Sequence, residues 1–322
     1  MSISPESFLE LEPVLGALSE AAGEVQQKGP GRWTFPAGPE EALQVTARVD
    51  QEWILMDKPL AVCEGGHSLQ PKRLWKLLHA NAALSGGAKF AVAGSPRSVR
   101  RRAEIRVMDE IDLPGRIRNA CLGFQEALPR FYRKTTGRSL EGAEPLGAAT
   151  HGDSDGHLQA LCTEAGWACS VRPGGGVAVR LDVQEGFYQA TVRSGSGGSL
   201  DVWLELANEA SWPSKSWKAL GIFLLQACGH LKTVRAVARN LDSGAATAGF
   251  QVFLDPPVGS EELGRAFTAL SAACSLVGKE VKILREEVVG KEYLAMVREW
   301  SSRPCRTKTK EAPSGENRRG KE

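Results

Sequence analysis

The chain has 322 residues and a mass of 34.6 kDa, with 42% hydrophobic and 24% charged residues. That composition excludes a wholly disordered or fibrous chain and suggests about two domains. Forty Lys and Arg against 38 Asp and Glu leave a net charge of +2, which supplies no global field for nucleic acid or an anionic membrane.

The first element expected is an apolar helix through Phe8, Leu11, Leu15 and Leu18, confined by Pro13 and stopped at Gly23. Leu43, Val45, Ala47 and Val49 alternate with polar residues and, with Trp53 to Met56 beyond the Asp50-Gln51 turn, predict a β-hairpin. Ser68 and Pro71 introduce a second helix with Leu74, Leu77, Leu78, Ala82 and Leu84 at helical spacing, closed by Gly86-Gly87. Strands over Lys89 to Ala93 and Ala103 to Met108 follow. Asp112 then caps a last helix with Pro114 just inside it and a stripe of Leu113, Ile117, Cys121, Phe124 and Leu128.

The same order recurs. A short helix is expected over Leu158 to Ala165, strands over Gly176 to Val183, Tyr188 to Arg193 and Leu200 to Leu206, and a helix over Trp217 to Leu231. Strands over Thr233 to Arg239 and Gly249 to Leu254 precede a helix capped by Ser260, with Leu263, Phe267, Leu270, Cys274 and Val277 as its apolar stripe. Aligning Trp75 to Val92 with Ile222 to Arg239 places Leu77-Leu78 on Leu224-Leu225 at an offset of 147, and weaker matches elsewhere share offsets of 143 to 146. Several weak matches at nearly one spacing indicate an internal duplication. The expected fold class is α+β, two tandem α-β-β-β-α-β-β-α lobes, each an antiparallel sheet with helices packed on it. The first lobe spans 1–134, a linker 135–156, the second lobe 157–300 and a disordered basic tail 301–322. Split this way, the balance is a cancellation. Residues 1–140 carry 19 basic and 16 acidic side chains, 141–300 carry 14 and 19, and the tail carries 7 and 3.

The element order, with a helix ending in Leu-Leu-x-Ala-Asn-x-x-Leu-x-Gly-Gly (Leu77 to Gly87) and running into a small, apolar strand, resembles the type III secretion chaperone (Tir chaperone) family. The second copy departs from it, with Cys228 at the position of Asn81 and Thr233 in place of the glycine pair. The resemblance implies a protein without enzymatic activity that holds an extended segment of a partner along apolar grooves. Members are small, acidic homodimers. A tandem chain implies instead a monomer whose lobes form an intramolecular pseudo-dimer, because linkage replaces bimolecular association with a high effective concentration.

The chemistry-bearing residues fit that reading. None of the five histidines stands in a nucleophile motif, and His79 reads as a partly buried or surface residue of the second helix. Cys162, Cys169, Cys228 and His230 contain no C-x-x-C pair and read as structural, and Gly174-Gly175-Gly176 leads into a strand rather than a helix, so it reads as a turn. No catalytic residue, metal or cofactor is expected. Eight tryptophans favour a protein client, and Trp33 and Phe35, with Val177 and Val179 at the similar point of the second copy, are the candidate peptide-groove residues. Arg97, Arg100, Arg101 and Arg102 form a candidate basic loop for nucleic acid, the weaker alternative because no aromatics interleave. No apolar run approaches the roughly 20 residues of a bilayer span, and the N-terminus lacks the basic n-region of a secretory signal. Seven scattered cysteines suit a reducing compartment, so the expected location is cytoplasmic.

Overall fold

A computed structural model describes residues 11–38, 43–60, 71–92, 99–107, 112–132, 153–184, 186–240 and 244–302. The first lobe contains α1 (Leu11–Ala22), β1 (Gln26–Gly29), β2 (Arg32–Pro36), β3 (Gln44–Asp50), β4 (Trp53–Pro59), α2 (Pro71–Asn81), β5 (Lys89–Val92), β6 (Val99–Arg106) and α3 (Leu113–Tyr132). The second contains α4 (Asp153–Glu164), β7 (Cys169–Val171), β8 (Val177–Val183), β9 (Gly186–Ser194), β10 (Leu200–Asn208), α5 (Ser214–Cys228), β11 (Arg235–Asn240), β12 (Ala246–Leu254) and α6 (Ser260–Leu284), followed by α7 (Glu287–Ser302). The fold is α+β, and each lobe has one antiparallel six-stranded sheet.

The two sheets share one topology. Their orders are β1-β2-β3-β4-β6-β5 and β7-β8-β9-β10-β12-β11: four strands meander, a helix crosses, and the final hairpin returns with its second strand beside the fourth. This order of elements repeats the expected duplication and adds a fourth strand before each central helix. The four residues of β1, QQKG, are exposed or half-buried, and β7 is only three residues long, so neither carries the apolar alternation that reveals a strand in a sequence. α4 begins inside the expected linker, and α7 has no counterpart among the described residues of the first lobe. Of the expected tail only Ser301 and Ser302 are described, as the end of α7; the linker 135–152 and residues 303–322 lie outside the described residues.

Capping chemistry sets the helix starts. The Asp112 carboxylate accepts from the Gly115 backbone N–H at 2.9 Å, as expected for a cap. For α6 the cap residue is Gly259 and not Ser260; no side chain caps it, while Glu261 and Glu262 in the first turn face the positive end of the helix dipole.

One core lies under the first sheet, where Trp33, Phe35, Val45, Ala47, Ile54 and Met56 meet Val14 and Leu18 of α1 and Ile117, Cys121 and Phe124 of α3. The other does not stop at the lobe boundary. Leu74, Leu77, Leu78, Phe90 and Val92 of the first lobe join the same buried cluster as Leu220, Leu224, Leu225, Val234 and Ala236 of the second. Each side chain of this kind contributes about 1.5–3 kcal/mol by leaving water, so the apolar face of α2 is stabilised largely by the other lobe.

Candidate functional site: the interlobe seam and an open strand edge

The two lobes meet along α2, α5 and the inner edge strands β5 and β11. Their contacts come in related pairs, at offsets of 146 or 147. Asn81, fully buried at the end of α2, accepts the Phe90 N–H on its Oδ1 (2.6 Å) and donates from its Nδ2 to the Phe90 carbonyl (3.1 Å) and, across the seam, to the Ala236 carbonyl (2.9 Å). At the matching place in the second lobe the Cys228 thiol accepts the Ala236 N–H. Cys228 thus replaces Asn81 as acceptor but loses the crossing donor, and burial pushes its thiol up to about 11.

The cations reciprocate as well. Lys89, 1% exposed, donates from its Nζ to the Leu231 and Val234 carbonyls of the second lobe and pairs with Glu104 at 2.7 Å. Arg235, 2% exposed, donates from its guanidinium to the Leu84 and Ala88 carbonyls of the first lobe, and its Nε donates to Gln251 at 2.9 Å. Gln251 in turn donates to Asp201, which also pairs with Arg239 at 2.7 Å. Each cation neutralises the carbonyls of the opposite turn, a desolvation cost that would otherwise fall on both lobes. Both turns need a left-handed residue. Gly86 has φ 59° and Thr233 φ 62°, so Thr233 does occupy the role of the missing glycine, and its N–H donates to Glu104 at 3.2 Å.

Aromatic packing closes the seam. Trp75 of α2 stacks on Trp217 of α5 with ring centroids 4.6 Å apart, over Gly221, where a Cβ would come within 2.4 Å of the Trp75 indole. Arg116 of α3 pairs with Glu262 of α6 at 2.6 Å. At the offset of 146 that relates the buried positions Ile117/Leu263, Cys121/Phe267 and Phe124/Leu270, these are one position in the two copies. A homodimer would bring like charges together there, and the duplicated chain has opposite ones. His79 lies against the Ala238 carbonyl; burial lowers its pKa, opposed by that hydrogen bond and by the nearby Glu209 carboxylate.

The expected site residues fall elsewhere. Trp33, Phe35, Val177 and Val179 are each at most 1% exposed and belong to the two cores, so they present no groove to a peptide. Alternation in Arg-Trp-Thr-Phe-Pro marks a half-buried strand, but the helices α1 and α3 occupy the side these residues face. The basic loop is also corrected. Arg100, Arg101 and Arg102 lie within β6, paired with β4 and β5, and Arg97 lies outside the described residues. Arg101 is 3% exposed and donates to the Phe124 carbonyl at 3.0 Å; Arg102 pairs with Asp57 at 2.8 Å and donates to the Gly229 carbonyl at 2.9 Å across the seam. These two cations are committed to the fold, which removes most of the proposed phosphate-binding patch.

What remains available is a sheet edge. Among the described residues β7 pairs only with β8, and β1 only with β2. β1 is bulged between Gln27 and Gly29 and carries Lys28, features that discourage a further strand. β7 has neither. Arg172 N–H donates to Gly176 and Arg180 N–H to Ala168, so residues 168, 170 and 172 bond inward, and by antiparallel alternation the backbone N–H and C=O of Cys169 and Val171 point to the open side. Val171 is 46% exposed. Just before β7, an open groove of about 470 Å³ runs between Glu164, Trp167, Glu261, Gly264, Arg265 and Thr268. This edge was missed in the sequence because Cys-Ser-Val is too short to show a period.

Among the described residues no three His, Cys, Asp or Glu side chains cluster as a metal site, and no helix is long and apolar enough to cross a membrane. No protein-family model, curated protein or solved structure matches the chain.

Proposed function

We propose that this chain is a non-enzymatic, chaperone-like protein-binding module: two related lobes form an intramolecular pseudo-dimer, and β7 holds an extended segment of a partner protein. The observation that carries this reading is the pair of outward-facing backbone groups at Cys169 and Val171 on an edge with no bulge and no charged side chain. A peptide adding there gains main-chain hydrogen bonds, and its alternate side chains reach Val171 and the groove beside Trp167. The reciprocal seam supports the same reading, since it consumes the inner edges and their buried cations and leaves the outer edges for binding. The duplicated element order and the Leu77–Gly87 pattern support a likeness to type III secretion chaperones, whose paired subunits the two lobes would reproduce in one chain. Free thiols at Cys121, Cys162, Cys169, Cys228 and Cys274 suit a reducing, cytoplasmic setting.

Peptides selected by display on the full chain test the proposal. Hydrogen exchange on the complexes is expected to show new protection at the Cys169 and Val171 amides. Val171→Pro removes an amide that β8 does not use, so it should weaken binding about tenfold or more while leaving the melting temperature nearly unchanged. Protection confined to another surface, or full affinity in the proline variant, would overturn the reading.

A further inference from the structure

Among the described cysteines, Cys162 and Cys169 are brought together within the second lobe, away from the seam. α4 ends at Glu164, and Gly166, with φ 83°, turns the chain so that β7 comes back along the helix; Trp167 N–H bonds to the Cys162 carbonyl at 3.0 Å. The Cys169 sulfur then lies 3.6 Å from both the Gln159 carbonyl and the Thr163 hydroxyl, two groups that flank Cys162 on the same helix. Cys162 is wholly buried, whereas Cys169 is partly exposed. Burial and the neighbouring sulfur push the Cys162 thiol up to about 12. The pair therefore has an accessible member and a sheltered one, the arrangement of an attacking and a resolving thiol.

We infer that Cys162 and Cys169 are a disulfide-forming site whose oxidant is a small soluble disulfide of the glutathione class. The Cys169 thiolate attacks one sulfur of the oxidant, forming a mixed disulfide and releasing one thiolate. The Cys162 thiol then gives up its proton to solvent and attacks the Cys169 sulfur; the protein disulfide forms and the second small thiolate leaves. Two protein thiols lose two electrons and two protons, and one small disulfide becomes two thiols. The product ties β7 to α4 and so fixes the position of the open edge. The chemistry does not depend on that edge binding a peptide.

The test uses the full chain, native and without any client. Incubation with oxidised glutathione, acid quenching, alkylation and peptide mass spectrometry should find a Cys162–Cys169 disulfide, with Cys121, Cys228 and Cys274 alkylated only after unfolding. In Cys162→Ser the glutathione adduct on Cys169 should persist instead of resolving. A stable adduct on Cys169 in the parent chain, no reaction at either thiol, or a disulfide from either to Cys63 or Cys305 would each overturn the inference.

Discussion

Replacing Lys89 by Ala tests whether the reciprocal seam holds the lobes together. The substitution leaves the Glu104 carboxylate, 2% exposed, without its counter-ion and removes the donor from the Leu231 and Val234 carbonyls. Breaking a buried pair by deleting one partner costs about 3–5 kcal/mol; each orphaned carbonyl alone would cost about 1–3 kcal/mol, but these losses overlap and do not add. At about 2–4 °C per kcal/mol the melting temperature should fall by roughly 10 °C. Calorimetry gives that shift, and urea titration followed by tryptophan fluorescence reports the seam through Trp75 and Trp217. The second variant is more discriminating. Lys89→Arg keeps a cation in the seam, as Arg235 does for the reciprocal turn. It should recover a large part of the loss, though not all, because Glu104 lies diagonal to Lys89, whose partner across the ladder is Arg102, whereas Gln251 stands directly opposite Arg235. If Lys89→Ala costs less than about 1 kcal/mol, or Lys89→Arg is worse than the alanine, the reciprocity is not what stabilises the seam.

The left-handed turns should respond in opposite directions. Gly86→Ala adds a Cβ only 2.2 Å from the Asn119 backbone at φ 59° and should cost at least about 2 kcal/mol in urea unfolding, whereas Thr233→Gly relieves a β-branched residue at φ 62° and should stabilise by about 1 kcal/mol. His79 should make stability pH-dependent: its folded pKa lies below 6.5, so the unfolded chain binds the extra proton first. Stability should therefore decline as the pH falls below the unfolded value and level off below the folded one. His79→Gln should flatten this segment of the urea-midpoint profile relative to the parent, and an unchanged difference between the two across that window would refute the assignment.

Periodicity made the helices and longer strands legible, and the repeat offset paired Asn81 with Cys228, which prove to be the last residues of α2 and α5, although the expected helices ran on to Leu84 and Leu231. It also flagged Thr233 as the substitute for a glycine. What it could not show was partnership. Lys-Phe-Ala-Val reads as a strand with a charged, solvent-facing end, yet Lys89 is buried because the opposite lobe brings carbonyls to it. Arg100 to Arg102 read as a loop because charge interrupts the apolar pattern, although they lie in β6, where the consecutive Arg101 and Arg102 reach the Phe124 carbonyl of α3 and the Asp57 carboxylate from opposite faces. Phe223 of α5 packs edge-on against Tyr293 of α7. The corresponding position of α2 is Lys76, which offers a covering helix no aromatic contact of that kind.

The shared hydrophobic cluster also sets a sequence of events for a chain leaving the ribosome. Leu74, Leu77 and Leu78 are made early, but the residues that cover them, from Leu220 to Ala238, follow about 150 positions later. At synthesis rates of about 5–20 residues per second, the apolar face of α2 waits roughly ten to thirty seconds for its cover. In that interval the nascent first half offers an aggregation-prone surface, and a second nascent chain in the same polysome could dock there in place of the missing half. Joining the two copies in one polypeptide shortens that exposure to the time of translation and makes the correct partner the one that always arrives.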